Sequence, residues 1–299
     1  VLALTQPATV TGVGSMPGTD PMAAAARIAD QLPDLPHIPE LPERGPGADM
    51  IGRTLALLAE VADDFTAATT VTGWELTRAS RDLRRARSLL NQDLDAVEQV
   101  WAGHRGLAKQ QLTGPLTLAA TVERKGKKLL ADAGLVRELI QAWAVMAQTH
   151  RAVLAARVPA TWLLQMDEPL LPAVIAGTVR TVSGMSAYPP VNAELPQPDL
   201  LHCCAPDLPW SRLPATEALL IDFGLHKITD DEPLAELATK GTTVGFGVSG
   251  DAGSVRSVLE FYDRTGLAPE PFLVTPPCGM VADYTPWRRV AEELNGRWG

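Results

Sequence analysis

Short runs of aliphatic and β-branched residues alternate with long amphipathic stretches from one end of this 299-residue chain to the other. That rhythm restricts the fold more tightly than any other property. Strands separated by helix-length segments pair in parallel and bury both faces of their sheet, so the chain reads as repeated βα units. Eight candidate strands fall at 9–15, 68–74, 108–113, 161–166, 199–204, 217–222, 242–248 and 272–275. Eight is the number that closes an α/β (β/α)8 TIM barrel, which is the fold expected here as a single domain over residues 1–299. Helices are expected at 20–32, 49–66, 84–103, 134–157, 231–240, 252–266 and 284–297. The second places Met50, Leu55, Leu58 and Val61 at helical spacing behind Asp49. Two segments break the rhythm. PDLPHIPELPERGPGA at 33–48 reads as an ordered loop, and the proline-rich stretch within 180–199 predicts one βα unit with a shortened or missing helix.

Composition excludes several classes of function. A net charge of −9 and a pI near 5.1 argue against a nucleic-acid footprint, and the one basic stretch, RDLRRAR at 81–87, reads as a solvated helix face. No apolar run reaches the roughly 18 residues of a membrane span, and VLALTQPATV lacks the basic flank of a signal peptide, so a cytoplasmic location is expected. Three cysteines cannot all pair within one chain, and a reducing compartment would keep them as thiols open to metal.

The unusual polar residues gather at the carboxyl ends of the expected strands, where the βα loops of a barrel converge. Ser15 ends GVGS, Asp167 and Glu168 follow LLQM, His202 and Cys204 end LLHCC, Asp222 ends ALLID, and Cys278 follows FLVT. In a strand, side chains alternate faces, so His202 and Cys204 point to one side and Cys203 to the other. An imidazole and a thiolate on one face, with a third cysteine in a distant loop, match the nitrogen and sulfur ligands of zinc. His226, four residues past Asp222, could be an exchangeable ligand but reads first as a surface histidine.

Five motifs, GVGSMPGT (12–19), LTGPLTLA (112–119), LQMDEPLL (164–171), LHCCAPDLPW (201–210) and PPCGM (276–280), occur in an order and chemistry that resembles the catalytic barrel of the cobalamin-independent methionine synthases. The resemblance spans nearly the whole chain, and its most specific part is the His-x-Cys strand paired with the distant Pro-x-Cys-Gly loop. It implies a (β/α)8 fold and a zinc site that holds the thiol of homocysteine. His202, Cys204 and Cys278 would be zinc ligands, with Asp222 standing where the family has a glutamate one methylene longer. Ser15 and the backbone of Val13 and Gly14 would hold the substrate carboxylate, and Asp167 with Glu40, rather than Glu43, its ammonium group.

Zinc coordination would ionise a thiol whose ordinary pKa is about 8.5, making a nucleophile for methyl transfer near neutral pH. Departures from the family concern the donor. The long synthases carry a further N-terminal barrel that helps bind folate. The family's tryptophan after LTGPLTL is absent, and its Asp-x-His-Ser after GFGV, bearing the proposed proton donor to a departing folate nitrogen, is replaced by SGDAGS at 249–254. A donor that leaves without a proton, such as methylcobalamin on a corrinoid protein, tolerates that loss. The resulting expectation is zinc-dependent methyl transfer to homocysteine. The alternatives are a methylcobamide-dependent enzyme acting on another thiol and a zinc-binding barrel without catalysis.

Overall fold

A computed structural model describes residues 2–298. Its strands are β1 (Ala8–Val10), β2 (Ala67–Thr70), β3 (Gly73–Leu76), β4 (Leu107–Thr113), β5 (Glu123–Arg124), β6 (Lys127–Lys128), β7 (Thr161–Asp167), β8 (Leu200–Cys203), β9 (Ala218–Asp222), β10 (Thr243–Gly247) and β11 (Phe272–Thr275). The helices are α1 (Pro21–Gln31), α2 (Met50–Val61), α3 (Asp82–Val100), α4 (Pro115–Thr121), α5 (Ala133–Arg157), α6 (Leu171–Ala176), α7 (Asp231–Thr239), α8 (Ala252–Thr265) and α9 (Thr285–Trp298). Seven strands form one parallel sheet in the order β1-β11-β10-β9-β8-β7-β4, curled into a half-barrel. No helix among the described residues is long and apolar enough to cross a membrane.

The expected second strand does not join that sheet. Residues 68–74 instead belong to the β2–β3 hairpin, which turns at Val71 and Thr72 and pairs onward through β5 to β6 in a separate four-stranded sheet. The β-branched run is real, but Gly73, at φ +138, lets the chain fold straight back, so its backbone groups are satisfied by a local return strand. Residues 36–40, read as loop, lie between the edge strand β4 and the segment that follows the other edge strand, β1. Lys109 N donates to Pro36 O and Ile38 N to Lys109 O on one side. On the other, Glu40 N donates to Gly14 O and Met16 N to Glu40 O. Pro36 and Pro39 lack an N–H, so this segment makes isolated bridges rather than a ladder, and its strand-like role is hidden in sequence.

Two apolar regions hold the fold. The larger lies between the outer face of the sheet and the helices and includes Ile28, Leu58, Leu90, Leu139, Trp143, Phe246 and Phe261. The smaller is Leu2, Leu35, Leu163, Leu200, Ala218, Leu220 and Leu273, a floor inside the curl. Each fully buried Leu there contributes about 1.5–3 kcal/mol relative to exposure. Helices start where Asp side chains accept from first-turn amides: Asp20 for α1, Asp49 for α2, Asp132 for α5 and Asp251 for α8. The shortened unit is as expected: α6 has six residues, ends at Gly177 in the left-handed region, and is followed by a turn closed by the Arg180–Ala187 bridge and then by irregular chain to β8.

Candidate metal centre

Along β4 and β7 the inward residues are Lys109, Gln111 and Thr113, and Leu163, Gln165 and Asp167. Parallel register places Gln111 beside Gln165, and Asp167 beside His202 of β8. From the floor toward the carboxyl ends of the strands, the interior therefore changes from leucines to amides and a lysine and then to carboxylates and imidazole. His202, Cys204 and Cys278 meet at that carboxyl end, with one ligand atom from each lying within 4.8 Å of the others. Cys203, one residue earlier, belongs to the outer core, as strand alternation requires. The loop that carries Cys278 is tied down by Val281 N donating to Ser15 O at 3.0 Å, so the two motifs at opposite ends of the chain form one rim.

His202 Nδ1 lies 2.8 Å from Asp167 Oδ1. A carboxylate only accepts, so Nδ1 carries the proton and Nε2 is left with its lone pair, the arrangement that metal-binding histidines adopt when a carboxylate orients them. The Cys204 and Cys278 thiols hydrogen-bond to each other. That bond, with His202 nearby, draws Cys278 down to about 6 and, together with burial, pushes Cys204 far up. One proton thus leaves the pair easily and the second is held. Tetrahedral zinc with bonds of about 2.3 Å separates its sulfur ligands by about 3.8 Å, so this donor set fits such an ion without rearrangement of the strands.

Asp222, expected as a further ligand, stands outside this group of three. Its Oδ1 accepts from Gly224 N at 3.0 Å and caps the turn at Phe223–Leu225, while its charge still acts on Cys278. His226 is bound to Asp231 at 2.7 Å and stacked on Phe223; its side chain is buried rather than on the surface.

The residues expected to hold an amino-acid substrate line the same rim. Ser15 Oγ donates to Glu40 Oε1 at 2.7 Å. Burial raises the Glu40 carboxyl to about 7 against the opposing pull of Arg53 and the Ser15 bond. Val13 O accepts from Gln165 Nε2 and Gly14 O from Glu40 N, whereas no protein acceptor takes the N–H groups of Val13, Gly14 and Ser15 among the described residues. Gly14 sits at φ +144 with the Gln111 side chain 2.5 Å from where a Cβ would stand, so no other residue fits there. Asp167 Oδ1 already accepts from both Gln165 and His202. Oδ2 receives no protein hydrogen bond among the described residues.

Glu168 ties the Thr-Gly-Pro and Asp-Glu-Pro segments of this chain together. Its carboxylate accepts from Leu116 N, Thr117 N and Thr117 Oγ1 at 2.7–2.8 Å, filling the first turn of α4. Gly114 is required because a Cβ there would fall 2.3 Å from Glu168 Oε1. Burial raises Glu168 to about 7 despite these three donors. Sequence reasoning did not find α4, nor the roles of Lys109, Gln165 and Arg53. The one available signal was the polar run Lys109-Gln110-Gln111 inside an otherwise strand-like segment. In comparison with known proteins, the chain matches no protein-family model and no curated protein.

Proposed function

We propose that this chain is a zinc-dependent methyltransferase whose acceptor is the thiol of homocysteine, built on the catalytic-barrel plan of the cobalamin-independent methionine synthases. The observation that carries the reading is the meeting of His202, Cys204 and Cys278 within 4.8 Å, from a strand and a distant loop. The fold is read as a (β/α)8 barrel in which residues 36–40, bridged to Lys109 of β4 and to Ser15 beyond β1, take the place of the second strand.

In this reading His202, Cys204 and Cys278 would hold zinc, with room for the acceptor sulfur beside them. Bound zinc supplies the positive charge that ionises a thiol near neutral pH. The chain's own residues do the rest. Asp167 keeps His202 in the tautomer that binds metal through Nε2. The free amides of Val13, Gly14 and Ser15 suit a carboxylate, and Glu40 and Asp167 Oδ2 suit an ammonium group, both by charge-assisted hydrogen bonds. Holding the amino acid at both ends fixes its sulfur opposite the incoming methyl group. The acceptor would release its S–H proton to solvent and form an S–CH3 bond as the donor's bond to methyl breaks, the bonding pair leaving with the donor. No histidine follows β10 at 249–254, which favours a donor that departs unprotonated, such as a methylated corrinoid presented by a partner protein.

Complementation of a methionine auxotroph, with Cys204→Ser as control, tests the function. Purified protein should also convert homocysteine to methionine with methylcobalamin as donor. Zinc binding without methyl transfer from either folate or cobalamin donors would instead establish a non-catalytic barrel, and transfer to another thiol a different methyltransferase.

A further inference from the structure

Lys109 is buried at 0% exposure inside the curl, level with Leu163 of the apolar floor, and nothing in the chemistry above uses it. Burying an ammonium is costly unless it is paired, and a methionine or leucine would suit the neighbouring floor better. Among the described residues the one hydrogen bond of its ammonium group runs from Nζ to Gln165 Oε1 at 2.7 Å. Gln165 Nε2 then donates to Asp167 Oδ1 at 2.7 Å and to Val13 O at 3.0 Å, and the same Asp167 oxygen accepts from His202 Nδ1 at 2.8 Å. The bonds form a continuous diagonal across β4, β7 and β8, set by the register of those strands.

We propose that Lys109 is a positioning residue for the metal centre: acting through Gln165, it holds Asp167 on His202 Nδ1 and so keeps His202 Nε2 available as a ligand. Asp167 and Val13 are both acceptors, so they demand the NH2 end of the amide. That order leaves Oε1 facing the interior, where a donor is required, and Lys109 supplies it. It is the only arrangement in which every group of the relay is satisfied. When protonated, Lys109 also polarises the amide, strengthening Nε2–H as a donor, and it lies close enough to Asp167 for the carboxylate to favour its charge. Burial pulls Lys109 down to about 7, which marks how far the interior is from water at this depth. Removing Lys109 strands Oε1. The amide then turns to regain a partner, Asp167 loses its second donor, and its hold on the imidazole loosens.

The affinity arm of the test rests on the metal reading above; the tautomer arm does not. Lys109→Met keeps the length of the side chain without the charge, and Lys109→Met/Gln165→Met removes both partners so that neither is left bare. In metal-free, reduced protein, the nitrogen-15 shifts of His202 should report Nδ1–H alone in the wild type and a mixture of tautomers in both variants. Zinc affinity, by competition with a chromophoric chelator, should fall about tenfold in the single variant, the low end of the range for an outer partner of a ligand, and no further in the double one. If the single variant does not fold, the double variant carries both arms. A wild-type tautomer and wild-type zinc affinity in a folded variant, with only thermal stability reduced, would overturn the inference. A wild-type chain that binds no zinc would refute the metal reading, while the nitrogen-15 shifts still decide the relay.

Discussion

Replacing Asp167 with Asn changes one charge and almost no volume, and its cost follows from the structure. Asp167 Oδ1 accepts from His202 Nδ1 at 2.8 Å and from Gln165 Nε2 at 2.7 Å. A hydrogen bond to a charged group contributes about 1.5–3 kcal/mol, against about 0.5–1.5 kcal/mol for a neutral one. Asparagine therefore weakens the grip on His202 by about 1–1.5 kcal/mol, which at about 1.4 kcal/mol per decade is roughly a 5- to 12-fold loss of metal affinity. Zinc dissociation constants should be measured by chelator competition under anaerobic, reducing conditions. Asp222→Asn serves as the comparison: its carboxylate caps a local turn outside the three-residue group, so the loss should be about threefold or less. Unchanged affinity in Asp167→Asn, or a larger loss in Asp222→Asn than in Asp167→Asn, would refute the assignment of Asp167 as support and Asp222 as bystander.

Other consequences are equally measurable. Glu168→Ala strands three buried donors at the start of α4 and should destabilise the chain by about 2–4 kcal/mol in urea unfolding, while a substitution at exposed Val71, such as Val71→Thr, should change stability by less than about 0.5 kcal/mol. Glu40 is raised to about 7, so below that pH it is protonated and must release a proton to receive an ammonium group. Amino-acid affinity should therefore rise about tenfold per unit between pH 5 and 6 and level off above 7, a slope that Glu40→Gln should abolish in calorimetric titrations. Removing metal with a chelator should leave the far-ultraviolet circular dichroism unchanged, because the cores that hold the fold do not involve the three ligands; loss of the helical signal would place the metal among the determinants of folding.

What the sequence reveals and conceals follows from how each contact is encoded. His202 and Cys204 are legible because strand alternation is local: two residues apart means one face. Cys278 is legible only through the motif around it, since nothing local says that the end of β11 meets the end of β8. Most strands of the main sheet announce themselves by aliphatic or β-branched runs, while β4 carries Lys109-Gln110-Gln111 at its centre. Residues 36–40 do not, because their prolines break the ladder that would mark them, while the 68–74 run offers a better β pattern and spends it on a local hairpin. Asp222 ends a strand next to the site, yet a glycine two residues on draws its carboxylate into a cap. Lys109 and Gln165 escape notice because buried polar residues read as surface, and only the register of β4 and β7, which sets Lys109 level with Leu163, brings its ammonium diagonally to Gln165.

The central claim is a single ion held by one nitrogen and two sulfurs. Metal content of reduced, purified protein, followed by X-ray absorption at the zinc edge, tests it most directly. The account predicts about one zinc per chain with two sulfur neighbours near 2.3 Å and one imidazole nitrogen near 2.0–2.1 Å, a third sulfur appearing when homocysteine is added. Reduced protein that takes up no zinc, or zinc retained with the same sulfur count after Cys204→Ser and Cys278→Ser, would contradict it.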